Sequence, residues 1–237
     1  MVAVSDTSLT LADFDSIDGV FALRGEDMRT HKGRGVIRVQ VDGRNCYLKR
    51  YWLAASQVFQ RHVTRGFHEL RMIDWLNDNG FAGPNVVARG SSGVFSLATR
   101  LFFLMEEVPD EMPLEQTWWK MPESCESLMD ALATFAAKLH DAGFVHTDFS
   151  ERHIFVGRPA GGWHFRLIDV ERARVGQRDD RLAAADLKTL AASIADQKLR
   201  ERIGQSFLDD YIARRRTLSP SSNMRTVFAN ASPTRRF

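Results

Sequence analysis

The chain has 237 residues, of which 44% are hydrophobic, so it can bury a core as one two-lobed domain or two small domains. It has no apolar run near the roughly 20 residues that span a bilayer, and its first residues lack the features of a secretory signal. Its two cysteines, Cys46 and Cys125, cannot by themselves form a disulfide framework or a zinc site. We therefore expect a protein of the reducing cytoplasm.

The net charge of +2 hides an uneven distribution. Residues 212–237 include six arginines and no acid, so residues 1–211 carry −4. Near anionic lipid each basic residue contributes about 1 kcal/mol, so this tail could hold the protein on a membrane surface, as a peripheral protein. The alternative is a solvated, partly disordered end, because 219–223 is a cluster of loop-favouring residues.

The first part of the chain is predicted to be rich in strands. The predicted elements in chain order are a strand at 36–41, a turn at 42–45, a strand at 46–50, a helix over 67–76 and a strand at 101–105. The last strand is a continuous apolar run, as expected for a strand buried on both faces. Pro109 follows soon after it and breaks the pattern.

From about residue 110 the apolar spacing becomes helical. The predicted elements are a helix over 128–139, short strands at 154–156 and 165–168, a helix over 183–194 and a last helix over 199–211. Gly143 supplies the stop signal of the first helix. Strands followed by helices predict an α+β fold in two lobes: a small β-rich N-lobe at 1–108, a helical C-lobe at 109–213 and a basic tail at 214–237.

Two aspartates lie at neighbouring ends of short predicted strands, and a histidine lies between them in sequence. Asp148 lies in the polar loop between Gly143 and the strand at 154–156, Asp169 comes directly after the strand at 165–168, and His153 follows Asp148 by five residues. Phosphotransferases present one carboxylate to the attacking hydroxyl and another to Mg²⁺ in this way. We therefore predict Asp148 as the catalytic carboxylate and Asp169 as a metal ligand, with His153 as a second metal ligand or a support for Asp148. Each aspartate alone could simply cap a turn.

The predicted hairpin and helix offer groups for nucleotide phosphates. Lys49 lies on the returning strand, and Glu69 is the only glutamate between it and the apolar strand at 101–105. A Lys–Glu pair positions the phosphates in kinases, although a lysine can also protect a sheet edge. Gly33 and Gly35 could let the backbone approach the nucleotide, and a plain turn is the alternative.

The residues after the apolar strand are predicted to contact the adenine base. Glu106, Glu107 and Val108 would offer backbone groups there, as a hinge between the two lobes. Asp186, near the start of the helix over 183–194, could brace the loop that contains Asp148 by accepting backbone N–H bonds. A solvent-facing aspartate is the alternative.

Several other side chains have two interpretations. Arg172 and Arg174 could hold an anionic acceptor by bidentate hydrogen bonds, or lie in a solvated basic turn with Glu171. Trp118 and Trp119 could form a membrane-facing pair. Aromatic pairs are more often part of a core, and we predict that here.

The chain resembles the lipopolysaccharide kinase family over roughly residues 33–195. The matching segments are Tyr47-Leu48-Lys49-Arg50, the helix with Glu69, 103–107, Leu139-His140-Asp141-Ala142-Gly143, His146-Thr147-Asp148 with His153, Ile168-Asp169-Val170-Glu171-Arg172-Ala173, and Asp186-Leu187. The resemblance implies a protein-kinase-like fold, ATP and Mg²⁺, and a cytoplasmic enzyme at the inner membrane. The acceptor would be a heptose or Kdo sugar of the lipopolysaccharide inner core, or another sugar.

Departures from ordinary protein kinases favour a sugar acceptor. Thr147 replaces the arginine that reads a phosphorylated activation loop, and little chain lies between Asp169 and Asp186 to form a platform for a peptide. An atypical protein Ser/Thr/Tyr kinase and a nucleotide-binding pseudokinase remain alternatives. A third is the two-His-one-carboxylate iron site, which His146, Asp148 and His153 would form. We expect no nucleic-acid partner.

Overall fold

The computed structural model describes residues 9–31, 33–53, 61–94, 97–108, 110–160, 162–195, 197, 206–216 and 224–230. Side chains are described for all of these except 61–62, 94 and 97–98. The chain divides into two compact units. The first comprises residues 1–71 and 84–108, and the second comprises 72–83 and 109–237. The predictions for the first residues, the loop-favouring cluster, Pro109 and much of the last helix lie outside the described residues.

The first unit contains a five-stranded antiparallel sheet. Its strands are β1 (Glu26–His31), β2 (Arg34–Val41), β3 (Arg44–Trp52), β4 (Val86–Val94) and β5 (Leu97–Glu106), in the order β1-β2-β3-β5-β4. The helices are α1 (Ile17–Ala22) and α2 (Arg61–Asp78), whose residues 61–71 belong to this unit. The predicted hairpin, helix and apolar strand are therefore confirmed.

The turn of the hairpin fixes the register of β2 and β3. Asp42 and Gly43 have φ of 48° and 75°, and Val41 pairs with Arg44. Two positive φ values are typical of the hairpin turn whose twist matches that of the strands. This register places Lys49 opposite Val36 on β2. Because side chains alternate along a strand, Lys49 and Tyr51 share one face of the sheet.

The two faces of the sheet are covered differently. On one face, nine buried residues form a core with α1 and the 3₁₀ turn Leu11–Phe14: Phe14, Val20, Ile37, Val39, Val41, Cys46, Leu48, Phe102 and Leu104. On the other face, α2 approaches the sheet at Gly66, where a Cβ atom would lie 2.6 Å from Leu101 and 2.8 Å from Tyr51. Glycine allows this close approach, and Glu69 lies one helical turn further along.

The second unit is mainly helical. Its helices are α3 (Leu114–Lys120), α4 (Cys125–Asp141), α5 (Asp180–Ser193), α6 (Leu208–Arg214) and α7 (Met224–Asn230). Short strands β6 (Met112–Pro113), β8 (Ile154–Gly157) and β9 (His164–Leu167) form one sheet, and β7 (Phe144–Val145) pairs with β10 (Arg174–Val175). The predicted helices over 128–139 and 183–194 and both predicted strands are confirmed. Of the helix predicted over 199–211, the described part begins at Ser206.

The end of α4 directs the chain into the loop that contains Asp148. Gly143 has φ of 82°, and its N–H bonds to the carbonyl of His140 at 3.0 Å. A Cβ atom at this position would lie 2.2 Å from the carbonyl oxygen of Gly176. Both the backbone angle and the crowding therefore require glycine here, as the sequence predicted.

The described parts of the tail contact other residues of the second unit. Arg215 is buried and pairs with Asp141 at 2.6 Å and with Asp180 at 3.1 Å. Helix α7 buries Met224, and its Ala229 carbonyl accepts a hydrogen bond from Lys188 at 2.8 Å. Tail residues 217–223 and 231–237 lie outside the described part of the chain.

The tryptophan pair divides between core and surface. Trp118 is 5% exposed, whereas Trp119 is 70% exposed. The prediction of a core pair is confirmed for Trp118 and wrong for Trp119, because neighbouring residues of α3 point in different directions. In the described part of the chain, no helix is long and apolar enough to cross a membrane.

Candidate active site

The loop of residues 146–153 connects β7 to β8 and contains the predicted catalytic aspartate. Asp148 is 3% exposed and His153 is 9% exposed, so both polar side chains are almost enclosed by protein. Buried polar groups of this kind need hydrogen-bond partners. The arrangement of those partners defines what the loop can do.

His153 lies between the two predicted carboxylates. Its Nδ1 is 3.6 Å from Oδ2 of Asp148, and its Nε2 is 3.7 Å from Oδ2 of Asp169. The backbone joins the same two segments, since Ile168 N–H donates to the carbonyl of His153 at 3.0 Å. The structure therefore brings Asp148 and Asp169 to opposite sides of one imidazole, although 20 residues separate them in sequence.

Hydrogen bonds fix the orientation of the His153 ring. Nδ1 lies 3.0 Å from the backbone carbonyl oxygen of Asp148 and 3.1 Å from Oγ of Ser150. A carbonyl oxygen can only accept, so we assign the proton to Nδ1. In the neutral ring Nε2 then has a lone pair on the side of Asp169. The Asp169 carboxylate could supply the oxygen ligand that Mg²⁺ prefers, and the lone pair on Nε2 beside it could accept a hydrogen bond from a metal-bound water.

The backbone on both sides of this site is in an unusual conformation. Thr147 and Asp169 have φ of 62° and 56°, in the left-handed region that non-glycine residues rarely adopt. Such conformations cost of order 1–3 kcal/mol each and persist only when their surroundings hold them. Thr147 is held by its Oγ1, which donates to the carbonyl of Arg172 at 2.9 Å.

Asp186 braces the same loop from α5. Its carboxylate accepts the backbone N–H of His146 at 2.7 Å and of Thr147 at 2.8 Å, and the residue is fully buried. The prediction that Asp186 accepts backbone N–H bonds is confirmed, and the solvent-facing alternative is wrong. The brace sets the conformation of the residue directly before Asp148.

The ring of His146 is stacked on the ring of His153. The two rings lie 6.0 Å apart between centroids with an interplanar angle of 11°, and His146 Nε2 is 3.0 Å from the carbonyl oxygen of Ile168. Burial lowers the pKa of His146, which keeps the ring neutral. Nε2 donates to this carbonyl, so only Nδ1 could coordinate a metal. Because no three His, Cys, Asp or Glu side chains of the described residues are arranged to hold a metal ion, the geometry does not favour the iron-site alternative.

The first unit contains a buried ion pair at the predicted phosphate-binding position. Nζ of Lys49 lies 2.6 Å from Oε1 of Glu69, and the hydroxyl of Tyr51 donates to Oε2 of the same carboxylate at 2.6 Å. Glu69 is 1% exposed. The Lys–Glu contact that the sequence predicted is therefore present, and the edge-strand alternative is wrong because Lys49 lies on the central strand β3.

The two predicted glycines differ in what their backbone requires. Gly33 has φ of 81° at the turn between β1 and β2, and its carbonyl accepts the N–H of Trp52 at 2.9 Å. A Cβ atom on Gly35 would make an ordinary contact with the Trp52 ring at 3.5 Å. Only Gly33 is thus required by the turn itself.

The predicted adenine-contacting segment is firmly attached to the sheet. The N–H groups of Glu106 and Glu107 donate to the carbonyls of Asn85 at 3.0 Å and Asn45 at 2.8 Å. The Arg44 and Asn85 side chains lower the pKa of the Glu106 carboxyl, and Arg38 and Tyr47 lower that of Glu107. Both side chains are therefore charged and occupied within the unit. Base recognition would depend on the Val108 amide and on backbone carbonyl oxygens.

Two arginines that follow Asp169 in sequence are exposed. Arg172 and Arg174 lie at the surface, whereas Glu171 is half-buried.

Among the described residues, no three His, Cys, Asp or Glu side chains are arranged to hold a metal ion by themselves. Magnesium in phosphoryl-transfer sites is usually bound through one or two carboxylates together with substrate phosphates and water. The set of Asp169 and His153 fits that manner of binding.

Sequence reasoning missed two polar side chains of these sites. Tyr51 lies two residues after Lys49, so the alternation of a strand could have indicated that both reach the same partner. Ser150 lies within the loop and bonds to His153, but the sequence holds no signal for that contact.

Comparisons with known proteins show which family this sequence resembles. A model of the lipopolysaccharide kinase (Kdo/WaaP) family matches residues 18–211. A relative from Pseudomonas aeruginosa, the lipopolysaccharide core heptose(I) kinase WaaP, is 28% identical over 218 residues, which cover 84% of this chain and 81% of the relative.

Two solved structures have a similar fold. The structure of WaaP in complex with acyl carrier protein has a TM-score of 0.63 and 24% identity, over 90% of this chain and 85% of that chain. A crystal structure of WbdD has a TM-score of 0.50 and 17% identity, over 85% of this chain and 49% of that chain. The likeness to WaaP confirms the predicted α+β, protein-kinase-like fold. Because the family model covers most of the chain, the protein is a kinase that belongs to the lipopolysaccharide kinase (Kdo/WaaP) family.

Proposed function

We propose that the protein transfers the γ-phosphoryl group of ATP to a hydroxyl of a lipopolysaccharide inner-core sugar. The observation that carries the proposal is the position of His153, 3.6 Å from the Asp148 carboxylate and 3.7 Å from that of Asp169. Phosphoryl transfer needs little covalent help from protein; it depends on placement and on neutralisation of charge. Two carboxylates with an imidazole between them can supply both.

Asp148 is the group proposed to orient the attacking hydroxyl. Its carboxylate accepts a hydrogen bond from the alcohol and receives the proton as the new O–P bond forms, while the bond from the γ-phosphorus to the bridging oxygen breaks and ADP leaves. The brace of Asp186 and the left-handed Thr147 restrict the loop on which Asp148 lies. This rigidity matters because a misplacement of about 1 Å can lower the rate about 100-fold.

Asp169 and His153 are the residues proposed to hold Mg²⁺. Asp169 supplies the oxygen that Mg²⁺ prefers, and its side chain is 33% exposed, so it remains accessible to a solvated ion. His153 supplies Nε2 or holds a metal-bound water, and its Nδ1–H bond to the Asp148 carbonyl fixes the ring in place. When bound, the ion would neutralise the phosphate oxygens.

Lys49 and Glu69 are proposed to position the α- and β-phosphates. The lysine side chain is 17% exposed, so its ammonium group is only partly hydrated and interacts more strongly with an anion. Glu69 holds the ammonium group and is itself held by Tyr51. Gly33 and Gly35 are proposed to let the backbone approach the nucleotide, and Glu106, Glu107 and Val108 to contact the base through backbone groups.

A heptose is the acceptor we propose first. The relative with 28% identity is named a core heptose(I) kinase, and it matches most of both chains. Kdo is the second sugar that the family description names. The exposed Arg172 and Arg174 are proposed to contact anionic groups of the acceptor.

Mass spectrometry of core oligosaccharide tests this proposal. The oligosaccharide is incubated with the enzyme, ATP and Mg²⁺, and fragmentation locates any added phosphate. We expect a gain of one phosphate on a heptose. Phosphate on Kdo would change the acceptor but keep the reaction. In a parallel incubation that also contains a test protein, phosphate on that protein and none on the sugar would support an atypical protein kinase and refute the sugar assignment.

A further inference from the structure

Asp186, whose carboxylate braces the loop that contains Asp148, is also in contact with His140. Asp186 is fully buried, and two of its hydrogen bonds go to the amides of His146 and Thr147. His140, near the end of α4, lies on another side of it, with Nε2 at 3.5 Å from Oδ2. His140 also contacts Phe149, the residue after Asp148, with ring centroids 6.2 Å apart. His140 therefore contacts both Asp186, which braces the loop, and Phe149, which follows Asp148 in that loop.

The other nitrogen of His140 contacts a residue of α6. Its Nδ1 is 2.8 Å from the hydroxyl of Tyr211, which is completely buried. Arg215 donates to the oxygen of the same hydroxyl. The buried phenol hydrogen needs an acceptor, and Arg215 can only donate, so we assign the phenol hydrogen to Nδ1 of His140. In the neutral ring the proton is then on Nε2, facing Asp186.

Arg215 is itself held by ion pairs. Its side chain is 1% exposed and pairs with Asp141 at 2.6 Å and Asp180 at 3.1 Å. Burying a guanidinium without partners would be very costly, so the two aspartates hold it in one place. Arg215, Tyr211 and His140 thus form a chain of buried hydrogen-bonded groups. At its end, His140 Nε2 lies 3.5 Å from the Asp186 carboxylate and interacts with it electrostatically, without a hydrogen bond.

We propose that Tyr211, acting through His140, is a positioning residue for the loop that contains Asp148. The inference rests on the proposed function, in which Asp148 orients the acceptor hydroxyl. Tyr211 fixes the tautomer and the plane of His140, and His140 directs its Nε2–H toward the carboxylate that holds Thr147 in the left-handed conformation. Because a left-handed threonine relaxes when its support weakens, loss of the phenol hydroxyl loosens the loop.

Tyr211→Phe is the first test, since it removes one hydroxyl and keeps the ring. We expect kcat to fall about 10- to 100-fold, as for other groups that orient a catalytic residue, while KM for ATP and for the acceptor changes less than about threefold. Hydrogen exchange at the amides of His146 and Thr147 is expected to become about tenfold faster. The matched control is Leu208→Ala on the same helix, a buried apolar residue. It lowers stability but is expected to leave kcat unchanged well below its unfolding temperature.

A pair of substitutions at His140 separates positioning from packing. His140→Gln keeps an N–H donor near the place of Nε2 and is expected to retain more of kcat than His140→Leu, which keeps the bulk and loses the donor. Equal losses in Gln and Leu, or a Tyr211→Phe enzyme with wild-type kcat and exchange rates, would overturn the proposal. If the wild-type protein phosphorylates no sugar, the proposed function fails, and the exchange rates of His146 and Thr147 still decide the role of Tyr211.

Discussion

Replacing Tyr51 by phenylalanine tests whether a phenol holds Glu69 in position for Lys49. The hydroxyl donates to Oε2 of Glu69 at 2.6 Å, while Lys49 binds Oε1 at 2.6 Å. Glu69 is 1% exposed and Tyr51 is 3% exposed, so water cannot easily replace the lost donor. The substitution removes one hydrogen bond to a buried charge and leaves the aromatic ring in contact with Phe103.

The expected loss follows from the charge and burial of this bond. A hydrogen bond to a charged group contributes about 1.5–3 kcal/mol. For a chain of this size about 2 kcal/mol lowers Tm by about 4–8 °C. Because Glu69 then orients Lys49 less well, we also expect KM for ATP to rise about fivefold, which corresponds to about 1 kcal/mol.

A double-mutant cycle with Glu69→Gln isolates this contact. In the Glu69→Gln protein the acceptor is neutral, so adding Tyr51→Phe should cost only about 0.5–1.5 kcal/mol of unfolding free energy. The coupling energy between the two sites is then about 1 kcal/mol, measured by urea unfolding of all four proteins. Effects that add within about 0.5 kcal/mol would refute the reasoning, because independent sites behave in that way.

Three further predictions concern the metal, the pH dependence and the tail. Asp169→Asn should abolish Mg²⁺-dependent binding of ATP in titration calorimetry while leaving the fold intact by circular dichroism; unchanged affinity would contradict the metal assignment. Burial and the nearby Glu115 raise the pKa of Glu151 to about 7. Its folded pKa therefore exceeds its unfolded value, and stability should fall by up to about 3 kcal/mol as pH rises from 5 to 8. Glu151→Gln should show less of this loss in thermal unfolding, and identical profiles would refute the shift. Replacing Arg235 and Arg236 by alanine should weaken binding to anionic vesicles about 30-fold at low salt, since each arginine contributes about 1 kcal/mol; equal binding would leave the tail without a membrane role.

Arg235 and Arg236 are the residues to replace in the vesicle-binding test, because other tail arginines take part in ion pairs within the fold. Arg214 pairs with Asp130 and Asp210, Arg215 is buried, and Arg225 pairs with Asp209 at 2.5 Å. Deleting residues 214–237 would remove these contacts together with any membrane-binding charge. Substitutions at Arg235 and Arg236 leave them in place and keep the comparison interpretable.

Local patterns predicted the elements that position the site. The Asp42-Gly43 turn and the alternation around it were enough to predict the hairpin with Lys49. The helical spacing before Gly143 likewise predicted α4 and the loop that follows it. Strand β1 was not predicted, because all six of its residues are exposed and Met28 is its one apolar residue, so it shows no apolar alternation.

Local sequence patterns could not predict contacts between residues that are far apart in sequence. The pairing of Arg215 with Asp141 and of Tyr211 with His140 joins residues more than 70 positions apart. The left-handed backbone of Thr147 is equally unexpected, because a β-branched residue disfavours it, and hydrogen bonds to Asp186 and to the Arg172 carbonyl hold it in place. These features depend on tertiary packing, which a single sequence does not encode in any short pattern.

The rate of phosphate transfer by Asp148→Asn tests the central claim most directly. The measurement follows transfer from ATP to core oligosaccharide, with the affinity for Mg²⁺-ATP determined in parallel on the same proteins. We predict a rate lower by about 10²- to 10⁴-fold, since the carboxylate that orients the hydroxyl is lost, and an affinity within about twofold of the wild type. A rate close to that of the wild type, in a variant that is folded and binds Mg²⁺-ATP, would contradict the assignment of Asp148.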